Sequence, residues 1–222
     1  MKKHLLRPAL VVASVLFAQL ITSGYAYSGP PLICHPLQIG NARSLPSGNG
    51  PFGTKTDYDR SRLIEETMEL LNPEMPILVR METLRRAVLY ASGIYRGNSD
   101  WKNYSNESQR IAYELLSRLM ARTLQANASG NSSAMAWFDV GYLTACYEQV
   151  NLTKDFPGYE FVKKALVLSG QNAEMEFACA LVTTFPKRVE HNQHLQNARA
   201  AAHNNSLLAA NLQTHFGNEK AQ

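Results

Sequence analysis

The run Val189-Glu190-His191-Asn192-Gln193-His194 carries side chains and a spacing suited to metal chemistry. On a helix, His191 and His194 stand three residues apart, and Glu190 and His194 four apart. Either pair shares a face and can converge on one divalent cation. Glu190, His191 and His194 are therefore the candidate metal ligands. His203 and His215 are further imidazoles that no spacing ties to them. The zinc-protease spacing H-E-x-x-H is absent, and a solvated helix face is the plainer reading.

Other reactive types are scattered. Cys34-His35 lacks the second cysteine of a haem-attachment motif and has no partner at zinc-like spacing. Asp139 and Glu148 lie nine residues apart around Tyr142. Two carboxylates on one helix serve acid–base chemistry only if they converge, and this spacing does not require it. No Gly-x-Ser-x-Gly turn, phosphate-cradling glycine loop or nucleophile–base pair occurs, so no catalytic residue and no cofactor is assigned. Arg80, Arg85, Arg86 and Arg96 make one helix rich in positive charge. Arg85 and Arg86 fall off its apolar face, where they suit an acidic peptide or an anionic surface, or plain solvation.

The elements that must position these groups read as helices. An amphipathic stripe begins near Asp57, with Asp57 or Asp59 as cap, and stops at Asn72-Pro73. Pro76 to Ser92 predicts a second helix with Glu82 and Arg86 as an outer pair. Ser105 or Asn106 caps a third, which ends at the turn cluster Asn127–Ser133. The stretch 134–185 follows, with Trp137, Val140, Gly141 and Thr144 on one helical face. A glycine inside such a helix costs about 1 kcal/mol relative to alanine, which makes sense where another helix must come close. Tyr159 to Leu168, Ala173 to about Phe185, Val189 to Ala202 and Leu207 to Phe216 complete the set. Ser169-Gly170-Gln171-Asn172 is a stop-and-turn signal, and the triplets at Asn103, Asn127, Asn131 and Asn151 read as loop chemistry.

Here the residues resemble the tetratricopeptide repeat. The pattern Trp137, Val140, Gly141, Thr144 is similar to the first helix of such a repeat. Lys163 to Glu174 (KKALVLSGQNAE) is similar to the junction between repeats, and Arg199 to Asn205 to a later one. Ala165 to Ala200 is a step of 35 residues, near the ~34 of the family. Gly170 stands where the family often has proline, and Thr144 where it often has tyrosine. The resemblance covers roughly residues 134 to 215, and an irregular helical bundle is the alternative. It implies an all-α superhelix of antiparallel helix pairs. It also places Cys146 and Cys179 on first helices of adjacent repeats, as a candidate disulfide or two buried small hydrophobes. Walls built this way bind extended segments, which makes Trp137, Asp139, Tyr142, Arg85 and Arg86 candidate binding residues.

The chain opens with basic residues, an apolar run from Pro8 to Ile21 and Gly24-Tyr25-Ala26, which predicts a signal peptide (1–26) cleaved after Ala26. Taking its Lys2, Lys3 and Arg7 from the 22 basic residues leaves 19 against 18 acids, too balanced for a nucleic-acid partner. No membrane span is expected in the remainder. Residues 27–56 form a Pro/Gly-rich extended arm and linker whose apolar centre, Leu32 to Ile39, calls for a groove. A helical domain follows over 57–216, then a polar tail over 217–222. The expected function is an exported scaffold for protein or peptide interactions in the periplasm or envelope. The alternatives are a metal-dependent enzyme at His191 and His194, or a structural envelope component.

Overall fold

A computed structural model describes residues 31–96, 103–130, 133–153, 156–202 and 206–219. The leader, the first residues of the arm, Asn131 and His203 lie outside them. Every regular element among the described residues is helical. The α-helices are α1 (Pro31–Cys34), α2 (Leu63–Leu70), α3 (Ile77–Ser92), α4 (Asn106–Ala128), α5 (Ala134–Gln149), α6 (Gly158–Ser169), α7 (Ala173–Val182), α8 (His191–Ala201) and α9 (Leu207–Phe216). None is long and apolar enough to cross a membrane.

Local chemistry sets the ends. Ser105, Ser133 and Ser206 cap α4, α5 and α9 by accepting the amides of Ser108, Ala136 and Ala209. Asn172 accepts two amides at the start of α7, from Glu174 and Met175. Each cap satisfies donors that the helix itself cannot. Gly93 closes α3 with φ of 80°, a backbone state that glycine enters without a Cβ penalty.

Two helices form the interior. α5 is apolar nearly all round and buried from Ala136 to Tyr147. α3 is buried along its whole length except Arg86, despite four charged residues. The two run parallel: Arg80 meets Asp139, and further along Arg85 lies near Cys146. α4 lies antiparallel to α5, with Thr123 bonded to the Ala136 carbonyl and Tyr147 to the Ala112 carbonyl.

α5 and α6 make the closest crossing. A Cβ on Gly141 would stand 2.5 Å from the Val162 nitrogen, and one on Gly158 would stand 2.5 Å from the Ala145 nitrogen. Each helix thus gives up a side chain where the other's backbone passes. α7 and α8 pack next, α7 touching both α5 and α6. Glu174 ties α7 to α3 by accepting the amides of Ile77 and Leu78 at the start of α3.

The N-terminal segment departs from a wholly extended arm. Pro31–Cys34 is a helical turn, and it touches α3, α5 and α7. Leu32, Ile33, Leu37 and Leu45 belong to the main core.

Candidate functional site

The charged centre of α3 lies under the N-terminal segment. Glu82 and Arg85 have no exposed side-chain surface, and Arg86 keeps 11%. Glu82 bonds Arg85 Nε through Oε2 and Arg86 Nε through Oε1, both at 2.7 Å. The expected pairing of Glu82 with Arg86 is therefore present, but inside the molecule. Burial opposes charge on Glu82, yet Arg85, Arg86 and the Leu37 amide outweigh it and hold the carboxyl below its usual range.

The remaining valences of this triad go to main chain. Arg85 donates to the carbonyls of Ile33 at 2.7 Å and Phe52 at 3.0 Å. Glu82 accepts the Leu37 amide at 3.0 Å, and Arg86 donates to the Leu45 carbonyl. Further along α3, Tyr90 donates to the Pro46 carbonyl and accepts the Lys55 amide. Gln149 of α5 accepts the Leu32 amide at 2.9 Å. Asn211 of α9 pairs with both main-chain groups of one residue, accepting the Gln38 amide at 2.8 Å and donating to the Gln38 carbonyl at 2.9 Å. These groups read backbone, not side chains, which is how an extended peptide is held without regard to its sequence.

Arg85 is thus corrected from surface charge to a buried hydrogen-bond donor, and Arg86 to a largely covered one. A guanidinium can sit there because its donors find a carboxylate and several carbonyls. Asp139 is likewise buried. It accepts two bonds from Arg80 Nη1, at 2.8 and 2.7 Å. Arg80 also donates to the Asn72 carbonyl, and Arg122 donates to the Leu71 carbonyl at 2.6 Å, so the pair anchors the end of α2. Burial pushes the Asp139 carboxyl up to about 6 against the opposing effect of Arg80. Tyr142 is fully buried, and its hydroxyl has no hydrogen-bond partner among the described residues. Trp137 packs on Phe161 and carries the Lys164 ammonium 3.6 Å from its ring centroid. These residues pack the interior and form no open wall.

His191 and His194 do share the first turn of α8, but their rings serve different partners. His191 Nδ1 lies 3.0 Å from the Ala180 carbonyl, and its Nε2 lies 3.1 Å from Glu219 Oε2. His194 Nδ1 lies 2.6 Å from Glu176 Oε2, and its Nε2 lies 2.9 Å from the Tyr159 hydroxyl. Burial, then Glu190, Cys179 and Glu160, keep the Tyr159 phenol protonated and able to donate. Glu190 occupies the cap position of α8 without a side-chain cap bond. The three expected ligands do not converge. Among the described residues no group of three His, Cys, Asp or Glu side chains is arranged to hold a metal.

Cys34, Cys146 and Cys179 are all buried free thiols, so the candidate Cys146–Cys179 disulfide is not formed. Burial pushes each thiol up, away from the reactive thiolate. His35 stands edge-on to His215, ring centroids 5.6 Å apart. A cleft of about 240 Å³ between α8 and α9 is lined by Arg199, Ala202, Ala209, Leu212, Gln213 and Gly217.

Sequence reasoning missed Gln149, Asn211, Tyr90, Glu176 and Tyr159. Polar groups recurring on otherwise apolar faces, such as Asn211 between Leu208 and Leu212, were the signal available.

Compared with known proteins, the chain matches no family model, no curated protein and no solved structure. Its class rests on architecture alone. It is an all-helical protein of packed helix pairs, with buried polar side chains that bind the backbone of its own N-terminal segment.

Proposed function

We propose that the chain is an exported scaffold that mediates protein or peptide interactions in the periplasm or cell envelope. The reading treats α3–α4, α5–α6 and α7–α8 as three tetratricopeptide-like pairs. The carrying observation is the order of neighbours. α3 touches α5, α5 touches α7, α4 touches α5, and α6 touches α7. That succession is expected when first helices line one face of an array and second helices its back. In this reading, residues 1–26 are a leader, 27–56 an arm and linker that packs into the core of the helical domain 57–216, and 217–222 a tail.

The outer surface supports a binding role as well. Phe185 and Val189 are 71% and 94% exposed on the connection between α7 and α8. That connection is not loose, since the Arg188 amide donates to the Thr183 carbonyl at 2.9 Å and the His191 amide to the Arg188 carbonyl. Large apolar side chains held outward on an ordered loop suit an interface.

Photo-crosslinkers placed at Phe185 and at exposed Val167 test the reading in native envelope fractions. A discrete crosslinked protein is expected from each position, and the Val167 product should be lost in F185S/V189S at unchanged thermal stability. Absence of any discrete product from either position would overturn the scaffold reading.

A further inference from the structure

We propose that the face where α3, α5 and α7 meet is a peptide-binding groove held shut by the chain's own segment 31–39, and that an apolar segment of a partner protein displaces it. The proposal rests on the scaffold reading and names its ligand class. Three observations carry it.

First, the occupant is already there. The turn Pro31–Cys34 touches each of the three helices, and Ile33 and Leu37 are buried against them. Second, the polar contacts address main chain, at a helical turn and at the extended residues that follow it. Arg85 donates to the Ile33 carbonyl, Glu82 accepts the Leu37 amide, Gln149 accepts the Leu32 amide, and Asn211 pairs with both groups of Gln38. An amide side chain that matches N–H and C=O of one residue is a reader of extended backbone, because a helical residue has spent those groups internally. Third, the specificity elements are apolar and define a pattern. Leu32, Ile33, Leu37 and Ile39 supply the apolar anchors, with Cys34 buried among them, while Pro36 is exposed and the Gln38 side chain reaches Thr214 on the surface. A competing ligand therefore needs aliphatic residues at the places of Leu32, Ile33, Leu37 and Ile39 and a small residue at that of Cys34, in a helical turn followed by an extended stretch.

Occupancy in cis explains why the charged floor of α3 is buried without a foreign ligand. It also sets the affinity of any competitor, since a tethered segment competes at high effective concentration and lowers apparent affinity by the fraction of time the groove is free.

The test uses the full chain and a fluorescein-labelled synthetic peptide, PLISHPLQI, which copies residues 31–39 with Ser at Cys34. Ile33→Ser with Leu37→Ser weakens the tethered occupant and leaves the groove intact. Anisotropy should show at least about tenfold tighter peptide binding by this variant than by the natural chain. Adding Asn211→Ala should remove about tenfold of that gain, the order of two lost hydrogen bonds. If the double variant fails to fold cooperatively, Gln38→Pro carries the same test, because it deletes the amide that Asn211 reads and touches no core side chain. Equal binding by the natural chain and a folded arm variant overturns the proposal, as does binding indifferent to Asn211. Crosslinking from Phe185 reports on the outer surface, so the scaffold reading can survive that outcome, and the two failures are distinct.

Discussion

Arg80 and Asp139 join α3 to α5 through two hydrogen bonds of 2.8 and 2.7 Å, with side chains only 1% and 2% exposed. The two residues lie 59 positions apart in sequence, and their pairing fixes the register of two parallel interior helices. Arg80 and the neighbouring Arg122 also hold the carbonyls that end α2.

Removing one member leaves a buried charge without its counterpart. Arg80→Ala should cost about 3–5 kcal/mol in urea unfolding, whereas Arg80→Met with Asp139→Leu should recover most of that loss. Additive losses in the double variant would mean that the two residues act separately.

Asp139 and His215 should give opposite pH signatures. Burial, opposed by Arg80, raises the folded Asp139 carboxyl from 3.8 to about 6. Its contribution to stability is then full below 3.8 and is lost as pH rises through about 6. Burial, then the charges of His35 and Arg85, lower His215 from 6.5 to about 4. Its contribution is full above 6.5 and is lost as pH falls through about 4. Melting temperatures across pH 4–7.5 should show the advantage of the natural chain over Asp139→Asn shrinking upward through that range. His215→Phe, which keeps the ring contacts with Phe177 and Phe216, should flatten the acid limb.

Gly141 and Gly158 act at one crossing. Gly141→Ala drives a methyl against the Val162 backbone, and Gly158→Ala against that of Ala145. Each should destabilise by about 1–3 kcal/mol. Together they should cost less than the sum, because a crossing forced apart by one methyl has room for the other. A full sum in chemical denaturation would refute the shared crossing.

The cysteines should be silent in the native state. Without reductant, a thiol reagent should label none of Cys34, Cys146 and Cys179 in buffer and all three in denaturant, read by intact mass. Two protected cysteines in denaturant would reveal a disulfide.

Helix periodicity and caps were legible in the chain itself. The cap at Ser105, the close approach at Gly141 and the stop at Gly170 act over a few residues, and spacing reveals such effects. Fates of charged groups were not legible. Glu82 and Arg86 have the spacing of a solvated surface pair, and only the lid of residues 33–52 turns them into a buried hub. His191 and His194 have the spacing of a metal pair, yet Glu219 and Glu176 arrive from separate segments and take one ring each.

The sequence alone determined that the chain is helical, where most helices begin and where two of them must nearly touch. Those properties follow from local backbone preferences and apolar periodicity. The tertiary structure decided which polar side chains are buried and what they bind. Burial of a charge depends on partners supplied from distant positions, and no local spacing encodes where such partners will come to lie.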